Sequence, residues 1–105
     1  MIYYNPVEVT SPRDFVENVE LIYDGGAGDK KGETGFSIVR LDWEGTPCHG
    51  MRWNVARREW DDADKVAETK KCSGIPVSRG YPVWFIIPEQ LVEAIISKVN
   101  ELSKG

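Results

Sequence analysis

The sequence predicts an α+β domain in which an antiparallel β-sheet is packed by a C-terminal α-helix. Three observations carry that expectation. Val83, Trp84, Phe85, Ile86 and Ile87 form an unbroken apolar run rich in β-branched and aromatic side chains, the pattern of a strand buried on both faces. Leu91, Val92, Ile95, Ile96, Val99 and Leu102 then recur on one stripe at helical spacing, so the helix has a single face to bury, and the sheet holding its own preceding strand is the nearest surface. Upstream, apolar and polar side chains alternate on either side of Glu44-Gly45-Thr46-Pro47, the turn chemistry of an antiparallel hairpin.

In chain order, residues 2–9 suit a short extended segment interrupted by Pro6. Ser11 before Pro12 sets an N-cap ahead of a proline at the first helical position and predicts a short N-terminal helical turn over residues 12–18. Val19, Leu21 and Tyr23 alternate with Glu20, Ile22 and Asp24 as a first strand, which Asp24-Gly25-Gly26 ends. Residues 25–35 hold five glycines among polar and charged residues and form a surface loop. Lys30 and Lys31 lie among those glycines, but the spacing of a phosphate-binding loop is absent and no helical pattern follows, so no nucleotide cofactor is expected.

The second strand spans residues 36–43, with Phe36 and Ile38 on one side and Val39, Leu41 and Trp43 on the other. A third runs over residues 48–58, where Met51, Trp53 and Val55 alternate with Arg52, Asn54 and Ala56. Residues 60–80 make the longest connection, with a helical turn within 64–70. Pro88 fits the first turn of the last helix, and Glu89 complements the positive end of its dipole. One helix covers one face of such a sheet. The N-terminal segment or a second copy has to cover the other, which favours a homodimer.

At 105 residues the chain is a single domain, residues 1–105, with an N-terminal segment and Gly-rich loop over 1–35 and the sheet and helix over 36–102. Its 41% hydrophobic and 29% charged composition is that of a globular chain. No signal-peptide pattern opens it and no apolar stretch is long enough to cross a bilayer, so a cytoplasmic location without membrane attachment is expected. The two cysteines, Cys48 and Cys72, are then expected to be reduced. Net charge is −4, but its distribution is uneven: −5 over residues 1–51, +2 over 52–79 and −1 over 80–105. The middle third is the only basic part, and Asp61, Asp62 and Asp64 dilute it.

A strand, a tight turn, a strand with aromatic and basic residues ending near Trp60-Asp61, a Gly-containing connection, and a last strand leading through Pro88-Glu89-Gln90 into a helix resemble the single-stranded-DNA-binding transcriptional coactivator family named positive cofactor four. The resemblance covers roughly residues 36–102 and is one of order and short patterns. It implies a curved antiparallel sheet backed by the helix, a dimer, and unpaired DNA held in a basic, aromatic groove, here sought among Arg52, Trp53, Arg57, Arg58 and Trp60. The longer connection before Tyr81, the more apolar last strand, the extra N-terminal third and the acidic balance depart from the family.

Single-strand binding needs charges that follow phosphates and flat rings on which bases stack. Arg52, Arg57, Arg58, Lys70, Lys71 and Arg79 are the candidate charges, and Trp53 and Trp60 the candidate rings. The competing expectation buries Trp53 in the core and leaves the arginines on a solvated face beside Glu59, Asp61 and Asp62. Cys48, His49 and Cys72 lack the close spacing of a zinc site, and Cys48 and His49 point to opposite sides of a strand, so neither a metal site nor a nucleophile and base is expected. The expected function is noncatalytic binding of single-stranded nucleic acid. The alternative is a homodimeric protein-interaction module.

Overall fold

Asn5 accepts the Val7 amide through its side chain and Pro6 pre-sets the first turn, so the N-terminal helical turn is a single 3-10 turn at Pro6–Glu8. The turn expected at residues 12–18 is shorter. The Phe15 and Val16 amides both donate to the Pro12 carbonyl, and the chain is extended from Val16 onward. The computed structural model describes residues 1–29 and 35–104; the part of the expected Gly-rich loop that holds Lys30 and Lys31 lies outside the described residues.

Strands β1 (Val16–Asp24), β2 (Phe36–Trp43) and β3 (Thr46–Trp53) follow, joined at the predicted Glu44-Gly45 turn, where both residues take positive φ. A 3-10 turn at Arg57–Asp61, a one-turn helix α1 (Ala63–Val66), a small hairpin of β4 (Val77–Ser78) and β5 (Tyr81–Pro82), strand β6 (Phe85–Ile86) and helix α2 (Glu89–Lys104) complete the chain. The main sheet is antiparallel throughout in the order β1-β2-β3-β6.

Two strands are shorter than their sequence patterns. Strand β3 stops at Trp53 instead of residue 58, because the chain bends at Asn54 and Val55 and enters the 3-10 turn at Arg57. In the apolar run 83–87 Phe85 and Ile86 pair with β3 and the Ile87 amide donates to the His49 carbonyl, whereas the Val83 amide is taken by the Pro76 carbonyl and the Val83 carbonyl by Arg52. Trp84 and Ile87 are buried, whereas Phe85 is 55% exposed, so this strand is not covered on both faces.

Register assigns the faces. Phe36 lies opposite Trp53, Ile38 opposite Met51 and Met51 opposite Phe85, which puts these side chains on one face. Val92, Ile95, Ile96 and Val99 of α2 pack there against Ile38 and Ile87. Leu91 and Leu102, expected in the buried stripe, stand exposed at its margins. On the other face Val39, Leu41 and Trp84 meet Val9 and Tyr4, and the Trp84 Nε1–H donates to the Val9 carbonyl at 2.7 Å. The chain's own N-terminal segment is therefore the second cover.

Gly50 marks how close that packing is. A Cβ there would lie 2.9 Å from Leu41 Cδ2 and 3.1 Å from Trp84 Cβ. Gly50→Ala is expected to lose about 1–3 kcal/mol by overpacking, measured as a lower urea midpoint with an unchanged m-value.

A polar knot closes the end of the sheet. Asp24 Oδ1 accepts from the Tyr3 hydroxyl at 2.8 Å and the Gly26 amide at 3.0 Å, while buried Ser37 and Asn54 bond each other at 2.7 Å. Burial, then the Asp24 carboxylate, pushes the Tyr3 hydroxyl up to about 12. Cys48 and Cys72 are unpaired, and burial raises both thiols above their ordinary value. Among the described residues no helix is long and apolar enough to cross a membrane.

Candidate functional site

Helix α2 packs on its sheet face around Ile38 and Ile87, with Phe36 and Met51 partly buried against that cluster, while Trp53 and Phe85 stay exposed. The chain returning through Ile75 and Pro76 builds a wall beside these rings, because Ile75 bridges Trp53 as an extra strand position. The result is a groove of about 400 Å³ lined by Phe36, Met51, Arg52, Trp53, Ile75, Pro76 and Phe85. Phe36 meets Trp53 edge-on at 6.0 Å and Tyr23 at 5.2 Å, which fixes the ring positions.

Arg52 alternates with Met51 and Trp53 and so projects the other way. It is buried, with Nη1 donating to the Val83 carbonyl at 2.7 Å and the Pro76 carbonyl at 3.4 Å, and Nη2 donating to the Ser73 carbonyl. Its guanidinium also lies 5.9 Å from the centre of a Trp84 ring. Burial pushes its pKa down to about 10, against the restoring field of Glu59, so it remains a cation at neutral pH.

Glu59 fixes the same wall from behind. It is 2% exposed, and its two oxygens accept four bonds, from the amides of Ala56, Ser73 and Gly74 at 2.8 Å each and from Lys65 Nζ at 2.6 Å. Burial opposes its ionisation, yet Lys65 and the three amides outweigh that and hold the carboxyl below its usual range. Lys65 is raised in turn, chiefly by its bond to Glu59. Gly74 has φ +65°, and a Cβ there would sit 2.1 Å from the Trp53 carbonyl oxygen, so only glycine fits this crossing.

The residues expected to hold nucleic acid are dispersed. Arg52 is a buried structural tie bonded to the carbonyls of Ser73, Pro76 and Val83, which corrects its assignment to a phosphate contact. Trp53, expected in the core on the competing reading, is 44% exposed on the groove. Trp60 is half-buried, and its Nε1 is buried without a hydrogen-bond partner among the described residues, so its ring is not a free platform. Arg57 and Arg58 are exposed on the 3-10 turn. Lys70 pairs with Asp64 at 3.5 Å, Lys71 lies 4.7 Å above the Tyr4 ring, and Arg79 stands in the β4–β5 turn on a separate depression with Ser11, Pro12 and Phe15.

The hollow itself differs from the expected one in two respects. It lies on the same sheet face as α2, and its described walls are apolar instead of basic. Among the described residues no group of three or more His, Cys, Asp or Glu side chains converges as metal ligands. Cys48 packs on the N-terminal face; His49 projects to the other, with Nδ1 buried and unpartnered among the described residues. No family model, curated protein or solved structure matches the chain.

The groove residues that sequence reasoning missed are Met51, Ile75, Pro76 and Phe85, together with Phe36. Hairpin register could have paired Phe36 with Trp53, since the turn at Gly45 was legible. Nothing local announces that Ile75 returns to β3, because that contact is made across 22 residues by a single bridge.

Proposed function

We propose that the chain is a noncatalytic protein-interaction module acting as a homodimer, in which a second copy seats apolar side chains in the groove between Trp53, Phe85 and Pro76. The observation that carries this reading is the groove itself, whose described walls are apolar and whose one lining cation, Arg52, donates to the carbonyls of Ser73, Pro76 and Val83. A second copy suits it because knob and hollow share one face: Phe85 and Trp53 are 55% and 44% exposed beside the concavity, so a two-fold axis brings each copy's rings to the other's groove. With aromatic side chains offering ~150–250 Å² each, the exposed parts of Trp53, Phe85 and Ile75 supply roughly 300 Å² of apolar centre. That is a substantial part of the ~800 Å² per partner of a standard interface. A cytoplasmic location suits the two unpaired thiols.

Single-stranded nucleic-acid binding, as the coactivator resemblance suggests it, has less support. Stacking rings and phosphate-facing charges have to share a surface, whereas Trp53 lies among apolar walls, Lys70 pairs with Asp64 and Lys71 lies over the Tyr4 ring.

Sedimentation velocity from micromolar to millimolar concentration tests the proposal. A concentration-dependent dimer is expected, and Phe85→Asp should weaken it ~30-fold or more, the loss of about 2 kcal/mol that marks a hot spot. Phe85 is exposed enough for the variant to keep its fold by circular dichroism. A chain that stays monomeric at millimolar concentration, or a dimer indifferent to Phe85→Asp, overturns the reading.

A further inference from the structure

Away from the groove, two depressions of about 560 and 410 Å³ meet at Ser11 and Tyr81, between the segment leading into β1 and the β4–β5 hairpin. Arg13 lines the first and Arg79 the second. Neither arginine makes an ion pair among the described residues. Each depression thus carries one guanidinium without an ion pair among the described residues, and Ser11 and Tyr81 line both; such groups favour an anion, and their planar forks match phosphate geometry. The hydroxyls of Thr10, Ser11 and Ser78 line the same surface as further donors.

The cleft also carries rings. Tyr81 is 65% exposed and shared by both depressions, and Phe15, 40% exposed, is held by Trp43 at a ring distance of 5.6 Å. Phosphate alone has no use for an exposed aromatic surface. A ligand with a phosphate at one end and a flat heterocycle at the other uses both.

The hairpin turn that presents Arg79 is itself distinctive. Arg79 and Gly80 have φ +52° and +84°, the two positive values of a type I′ turn. Asn or Gly is the usual choice at the first of these positions, so the arginine is there against backbone preference.

We propose that the cleft formed by Arg13, Arg79, Ser11, Tyr81 and Phe15 binds a mononucleotide, with the arginines on the phosphate and the Tyr81 ring against the base. Both depressions fall within the ~300–1,000 Å³ of small-ligand sites. This site is separate from the proposed dimer groove and stands without it.

The test is a titration of the whole chain, followed by two-dimensional amide NMR at low salt, with adenosine 5′-monophosphate, adenosine, inorganic phosphate and an unphosphorylated oligothymidylate as probes. The monophosphate is expected to shift the amides of Ser11, Arg13, Arg79 and Tyr81 and to bind at least tenfold more tightly than adenosine or phosphate. Arg79→Asn suits the positive φ and keeps the fold; combined with Arg13→Gln it should weaken the monophosphate at least tenfold. Tyr81→Leu should bring the monophosphate down to the affinity of phosphate alone. Phe85→Asp should leave nucleotide binding unchanged, which separates failure of this proposal from failure of the dimer. Absence of shifts at millimolar nucleotide, equal affinity for phosphate and nucleotide, indifference to the double arginine variant, or tighter binding of the oligothymidylate each overturns the mononucleotide assignment.

Discussion

Glu59→Ala is expected to cost about 3–5 kcal/mol of folding free energy, the usual penalty for removing one member of a buried charged pair. The substitution removes the acceptor shared by three backbone amides and Lys65; the Ala56 and Gly74 amides lie buried with it and are left unpaired, whereas Lys65 reaches solvent. In a domain of this size each kcal/mol lowers the melting temperature by roughly 4–8 °C, so a fall of more than ~12 °C is expected. Glu59→Gln keeps the shape but turns an amide NH₂ toward a donor, and its loss should be intermediate.

The same carboxylate sets an acid limit. Its folded pKa is depressed, so its contribution is fully present above the ordinary glutamate value of about 4.3 and is lost as pH falls through the folded value. Lys65, raised by the same bond, contributes below the ordinary lysine value and loses that contribution as pH rises through its folded one. Urea unfolding across the acid range should therefore show a steeper loss for the wild type than for Glu59→Gln. Parallel acid limbs for the two proteins would falsify the role given to the carboxylate.

The scaffold was legible where local chemistry and periodicity agree. Strand β2 matches its pattern at both ends, the Glu44-Gly45 turn sets the hairpin, and α2 starts at Glu89 behind Pro88. Strand limits depart from pattern where long-range contacts override local preference: Pro76 and Arg52 take the Val83 backbone groups, and Ile75 pairs with Trp53 from outside the sequence's strand runs. The site was less legible, for one physical reason. Alternation correctly puts Arg52 opposite Met51 and Trp53, but a charged side chain facing away from apolar neighbours was equated with solvent. Residues 73–83 cross that face and offer carbonyl oxygens, so the charge is satisfied inside. Trp53 is then the side chain that meets water, 44% exposed beside Phe85.

That inversion yields the second large expectation. Arg52→Ala should destabilise the domain by about 3–5 kcal/mol, because three carbonyls, of Ser73, Pro76 and Val83, lose a shared cationic donor and a cavity opens beside Trp84. Arg52→Lys should recover only part of this, since a compact ammonium on a flexible stem does not reproduce the planar fork that spans carbonyls on both sides of the crossing. The lost bonds all belong to the segment that carries Ile75 and Pro76 and leads into Phe85, so the damage should be local before it is global. Amide exchange at Trp53 and Ile75, which bond each other at 2.9 and 3.2 Å, should accelerate in Arg52→Lys far more than exchange in the β1–β2 ladder. Because the same segment walls the groove, the variant should also weaken self-association although the Arg52 side chain projects to the opposite face. Uniform acceleration across the whole sheet, with dimer affinity unchanged, would show that the arginine stabilises the fold without shaping the groove.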